Sequence, residues 1–208
     1  MDIIPKLATS LNRRDEVPNQ ELAAEIVKRR DTLAVDELVE NLEGLSKGIR
    51  HDCIKVLYEV GYADPKLIAD HISTFLSLLR NPDNRLQWGA MTALGCIVLE
   101  KRDEIFQVLP KIIRAANKVS VITRDHCVNI LISLSATDKY AHDAFPLLLT
   151  QLLICPTNQL PMYAENAMQI VNSTNHDAFV RLLSSRLDEI EKETRRRRVE
   201  KVIKKVSK

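Results

Sequence analysis

Glycine and aromatic residues are scarce in this 208-residue chain: there are five Gly, and Phe, Trp and Tyr together make up 4%. Strand-rich folds rely on Gly-containing turns and on aromatic or β-branched faces, so this scarcity argues for helices. No apolar run reaches the roughly 18 residues that would span a bilayer. The opening MDIIPKLATSLNRRDE carries an early acid and lacks the apolar core of a signal peptide. We therefore expect a cytoplasmic protein with no membrane contact. Four cysteines at 53, 96, 127 and 155 include no C-x-x-C, and five histidines include no H-E-x-x-H or zinc-type Cys/His cluster. Neither G-x-x-x-x-G-K-[ST] nor G-x-G-x-x-G occurs. No metal, cofactor or nucleotide loop is expected.

What is present is a repeat. Steps of 37 residues from Asp83 reach Ser46, Ser120, Thr157 and Thr194, all residues whose side-chain oxygen can cap a helix start. Core columns keep the same step. Cys53, Ala90, Cys127 and Ala164 form a small column; Leu57, Leu94, Leu131 and Met168 a large one; Val60, Ile97, Leu134 and Val171 a third. Offsets of four and three place them on one helix face.

A preceding helix carries Val35, Ile72, Leu109, Pro146 and Leu183; Leu38, Phe75, Ile112, Leu149 and Arg186; and Leu42, Leu79, Ala116, Leu153 and Ile190. Asp64, Asp138 and Asn175 share its cap column, and Asp103 substitutes where Lys101 breaks it. The unit is helix, turn, helix, and neither helix buries its stripe alone, so successive pairs must stack. Pairs are predicted near 32–62, 65–100, 103–136, 138–174 and 176–207, after short helices at 2–11 and 19–31. We read 1–208 as one domain: 1–31 a degenerate N-terminal cap, 32–192 the hairpin repeats, and 193–208 a basic C-terminal cap helix.

The repeat length, the turn NPDNR at 81–85, the small-then-large pattern and the prolines inside first helices (Pro110, Pro146) resemble the HEAT-repeat family of armadillo-like α-solenoids. The resemblance implies an all-α fold: a right-handed α-α superhelix of about five hairpins plus an N-terminal half-repeat. It also implies that the second helices line a concave surface. On that ridge fall Lys47, His51, Lys55, Tyr58, Trp88, Asp125, Asn129, Met162 and Asn166, flanked by Arg50 and Arg124. Positions 47, 51, 55 and 58 are expected to point away from the core. Trp, Tyr, Met and Arg are favoured at interface centres, which makes a protein partner along this ridge the leading expectation. The competing reading is a solvated face with Trp88 partly buried on a neighbouring repeat.

Charge is unevenly spread. Residues 192–208 hold nine Lys or Arg against two Glu, a net +7, and the other 21 basic and 26 acidic residues leave the rest at −5. Arg195, Arg196, Arg197, Arg198 and Lys201 form a cluster that reads as a solvated cap, an acidic-partner or nucleic-acid patch, or a nuclear localisation signal. HEAT-like DNA glycosylases of the alkylpurine type use a basic concave face with aromatics and a catalytic Asp. Trp88, Arg124 and Asp125 lie near the corresponding face, which keeps nucleic-acid binding as the alternative function. His51-Asp52-Cys53 and Asp125-His126-Cys127 look catalytic, but adjacent helical residues diverge by about 100° and cannot form a relay among themselves. A non-enzymatic scaffold is expected.

Overall fold

The structure is a computed structural model describing residues 2–118 and 120–207, and among these no strand occurs. The chain clusters into two compact units, Met1–Cys127 and Val128–Lys208.

The first unit begins with a 3-10 turn (Ile4–Lys6) and α1 (Val17–Arg29), then α2 (Thr32–Glu40) with α3 (Lys47–Ala63), α4 (Ile72–Leu78) with α5 (Asn84–Ile97), α6 (Arg102–Lys118), and the start of α7 (Val121–Ser135). Only a 3-10 turn forms where a first helix over 2–11 is expected; Ile3 and Leu7 are buried but Leu11 is half exposed. The 37-residue caps hold here. Ser46 Oγ accepts from the Ile49 N–H at 3.4 Å, an Asp83 carboxylate oxygen from the Arg85 N–H at 2.9 Å, and Ser120 Oγ from the Thr123 N–H at 3.2 Å. Each satisfies one of the free N–H groups at its helix start. Asp64 caps the 3-10 turn Pro65–Leu67, and Asp103 lies in the first turn of α6.

Cys53, Ala90 and Cys127 are fully buried, as are Leu57 and Leu94, Val60 and Ile97. The first-helix stripe joins them through Leu38, Phe75 and Ile112, while Ile72 is only half buried. The stacking of α3 on α5 is close at Gly89, where a Cβ would come within 2.6 Å of Ile54 Cγ1. The N-terminal segment is tied to α3 by polar bonds. Asp52 is buried and accepts from the Thr9 N–H at 2.7 Å and from Asn19 Nδ2 at 2.8 Å. Asn19 Oδ1 in turn accepts from the buried Ala8 N–H, so each buried polar group in this chain of bonds has a partner.

The second unit holds the end of α7, α8 (Asp138–Ile154), α9 (Leu160–Ala167), α10 (His176–Ser185) and α11 (Glu193–Val206). Here the register expected from sequence needs correction. In α8 the buried residues are Phe145, Leu148 and Leu152, whereas Pro146 and Leu153 are exposed. The cause is the helix start: α8 begins 36 residues after α6, not 37, so its inward stripe arrives one position early. Thr157 caps nothing. Pro161 lacks an N–H and fits only a first helical turn, so α9 starts at Leu160 with Gln159 as N-cap. It ends at Ala167, and the 3-10 turn Met168–Ile170 leaves Met168 and Val171 half buried.

Thr137, not Asp138, is the N-cap of α8, and Asn175 bonds Asn172 N and Ile170 O rather than its own helix. Thr194 lies inside α11, whose first residue is Glu193. An acid in the first turn suits the helix dipole and offsets the arginines that follow. Arg186, expected in the apolar stripe, is indeed buried but keeps its charge satisfied. Its Nη1 donates to the Leu152 and Cys155 carbonyls, each at 2.8 Å, and its Nη2 to Glu189 at 2.6 Å. It thereby caps the C-terminal end of α8, where carbonyls lack helical partners.

Candidate interaction surfaces

The ridge expected from sequence is only partly open, and its members divide by use. Lys55 and Tyr58, expected to point outward, are buried. The Lys55 ammonium bonds Glu16 at 2.7 Å and Glu59 at 2.6 Å and sits 4.9 Å from the Tyr58 ring centre. Burial draws its pKa down, but the two carboxylates outweigh that and raise it, so Lys55 stays charged. Glu16 also reaches Arg85 of α5 at 3.3 Å. The start of α1 therefore covers this part of the ridge, which spacing along α3 alone could not show.

Arg50 donates to the Gly44 carbonyl at 3.0 Å, and Gln87, its equivalent one repeat on, donates to the Asn81 carbonyl. This position clamps the turn between the two helices of a pair. His51 Nε2 lies 2.8 Å from Asp83, the cap of α5. The Asp83 carboxyl is raised by burial, but the His51 bond and the Arg85 N–H more than offset this and hold it below its ordinary value. Trp88 is half buried with its ring centre 5.7 Å from that of Tyr58, and the exposed Tyr62 ring lies 6.0 Å from the same Tyr58 ring. Trp88 thus packs against Tyr58 of the preceding repeat and is otherwise half open. Arg124 and Asp125 are half buried.

In the second unit Asn129 and Asn166, one repeat apart, are exposed and their amides are 3.5 Å from each other. With Ile132, Ser133 and Glu165 they border a shallow groove of about 460 Å³. Met162 is half buried. The basic cluster of α11 is largely neutralised. Arg198 holds Glu165 through two bonds at 2.8 and 2.6 Å, Arg197 holds Glu193 at 2.9 Å, and Arg196 pairs with Asp188 and, at 3.8 Å, with Glu200. The Arg198 bond outweighs burial and lowers the Glu165 carboxyl. Lys201 is exposed.

The first His/Asp/Cys triplet disperses, and the thiol of each triplet is buried. His51 turns to Asp83, Asp52 to Thr9 and Asn19, and Cys53 into the core. Burial pushes the Cys53 and Cys127 thiols up to about 12 and lowers the pKa of His126. A buried protonated thiol is a packing group, not a nucleophile. Among the described residues no group of His, Cys, Asp and Glu is arranged to hold a metal ion, and no helix is long and apolar enough to cross a membrane.

One feature escaped sequence reasoning. A groove of about 360 Å³ in the first unit runs between the end of α4, the start of α5 and α6. Arg80, Lys111, Arg114 and Lys118 surround it over a floor of Leu76, Leu79 and Ala115. The 111, 114, 118 spacing puts three of these cations on one helix face. That signal is in the sequence, but only the fold brings Arg80 to meet them.

Stacked helical hairpins with this repeat define the class: the fold is that of an armadillo-like α-solenoid, the group that includes HEAT repeats. Among solved structures, the designed armadillo repeat protein YIII(Dq)4CqI matches with a TM-score of 0.62, covering 98% of this chain and 99% of that chain at 12% sequence identity. At that identity the likeness carries the fold alone. No protein-family model matches the chain. No curated protein matches it either.

Proposed function

We propose that the chain is a non-enzymatic interaction scaffold in the cytoplasm that binds another protein on its second-helix ridge. The observation that carries this reading is the aromatic strip Tyr62–Tyr58–Trp88, whose central ring lies 4.9 Å from the buried Lys55 ammonium. Trp88 is half open, Tyr62 exposed and Tyr58 buried; aromatic side chains lose little freedom on contact and contribute most at protein interfaces. His51 lies on the same helix as Tyr58 and Arg124 on α7, and in the second unit Asn129, Asn166 and Met162 offer amide and thioether contacts. Dispersal of His51, Asp52 and Cys53 and burial of the Cys127 thiol support a binding role over catalysis. The nucleic-acid reading is weaker, because three of the four arginines at 195–198 already hold carboxylates that phosphates would have to displace.

The test uses Trp88, the one tryptophan of the chain. A partner recovered by affinity capture should shift its fluorescence on titration. Trp88→Ala should weaken that partner by about 2 kcal/mol, a hot-spot loss, with far-UV circular dichroism unchanged. Equal binding by wild type and Trp88→Ala removes the ridge of the first unit from the proposal; Met162→Ala tests the second unit in the same way.

A further inference from the structure

The cationic groove lies off the ridge, on first-helix residues, and asks for its own explanation. Arg80, Lys111, Arg114 and Lys118 are all exposed, and none makes an ion pair with a carboxylate among the described residues. Elsewhere in the same unit Lys55, Arg85 and Lys101 each hold an acid.

The repeat supplies an internal control. One repeat earlier the equivalent groove, of about 580 Å³, is lined by Glu43, Ser77 and Asn81 where the later one has Arg80, Arg114 and Lys118. Lys47 and Arg50 there are balanced by Glu43 and Asp83. The same backbone site is electrically neutral in one repeat and carries four uncompensated cations in the next. Hairpin stacking does not require this, because the earlier groove stacks without it. An incoming group of negative charges relieves the repulsion among the four and is drawn in by their combined field.

The dimensions narrow the ligand. Lys111 to Lys118 covers about 10 Å along α6 at 1.5 Å per residue, the reach of about three residues of extended chain. The floor of Leu76, Leu79 and Ala115 offers apolar contact to a side chain between the charges, which a run of phosphates does not supply. A volume of about 360 Å³ is that of a small ligand pocket.

We infer that this groove is a docking site for a short acidic segment of a partner protein, with an apolar residue between Asp or Glu residues. The carboxylates pair with Arg80, Lys111, Arg114 and Lys118, and the apolar side chain rests on Leu76 and Leu79.

The probe is a fluorescein-labelled peptide, Gly-Glu-Asp-Leu-Glu-Asp-Gly, titrated with the full chain and followed by anisotropy. Arg114→Glu should weaken binding by at least about tenfold, through loss of one pair and gain of one repulsion. Arg197→Glu changes net charge equally but lies on α11, and should leave binding within about twofold. Replacing the peptide Leu with Gly should also weaken it. Both arginines are exposed, so circular dichroism should match wild type for each variant. The proposal fails if the peptide does not bind, if the two reversals weaken it alike, or if the Gly peptide binds as well. It also fails if a DNA oligonucleotide binds more tightly than the peptide and loses binding on Arg114→Glu, which would make the groove a phosphate site. Because Trp88 plays no part in the groove, Trp88→Ala should bind the peptide normally, so failure here is distinct from failure of the ridge.

Discussion

A single methyl group added at Gly89 tests how α3 and α5 stack. Gly89 stands 37 residues after Asp52 and 37 before His126, in the helix face turned towards the preceding repeat. A Cβ there would lie 2.6 Å from Cγ1 and 3.2 Å from Cγ2 of Ile54. Ile54 is fully buried, and its branched side chain is stiff at χ1, so the clash cannot be relieved by swinging a free end aside. Overpacking of this kind costs about 1–3 kcal/mol. Replacing a mid-helix Gly by Ala gains roughly 0.5–1 kcal/mol of backbone entropy in the opposite direction. The overpacking wins, and Gly89→Ala should destabilise by about 1 kcal/mol net, or about 2–4 °C in a chain of this size. Ile54→Ala removes both γ carbons and leaves a cavity, at a cost of about 2–5 kcal/mol. In that background the new methyl enters vacated space, so Gly89→Ala should become stabilising. The expected coupling is about 1–3 kcal/mol. Urea unfolding of the four species, followed by far-UV circular dichroism, measures it. If Gly89→Ala has the same effect in both backgrounds, the two helices do not meet at this point and the stacking described above is wrong. Gly95→Ala is the control: its nearest neighbour, His126 Nδ1, would be 3.4 Å away, an ordinary contact, so only the gain in helix propensity remains.

Arg186→Leu should destabilise by about 2–3 kcal/mol, because it strips a charged donor from two buried carbonyls, although the same column is apolar in other repeats. Faster hydrogen exchange in α10 and the last turn of α8 would register this, and an unchanged urea midpoint would show that Arg186 only fills space. Asp83 should make stability sensitive to acid. Its folded pKa lies below the unfolded value, so its contribution is complete above that value and is lost as pH falls through the folded one. The difference in urea midpoint between wild type and Asp83→Ala, about 1 kcal/mol for the cap near neutral pH, should therefore shrink between about pH 5 and about pH 3. A difference that stays constant over this range would mean that the carboxylate charge plays no part in the cap.

The repeat was legible because helix periodicity and capping are local: Ser46, Asp83 and Ser120 cap as their side chains require, and the small column Cys53, Ala90, Cys127, Ala164 is buried throughout. The register of α8 was not legible. Phe145-Pro146-Leu147-Leu148-Leu149 is apolar at nearly every position, so two adjacent stripes fit it equally, and a start one residue early chose between them. Ridge membership was legible to the level of the helix face and no further. Whether Lys55 reaches solvent depends on Glu16, 39 residues away in sequence.

The amino-acid order alone determined that the chain is helical, where the helices capped by Ser46, Asp83 and Ser120 begin, and that the small column faces inward, since these follow from side-chain chemistry within about one turn. Tertiary structure decided which outward residues are exposed, which charges are paired, and that Arg80 joins Lys111, Arg114 and Lys118 around one groove. Those outcomes depend on which helix lies beside which, and burial and ion pairing act between residues that the spacing along a single helix does not relate.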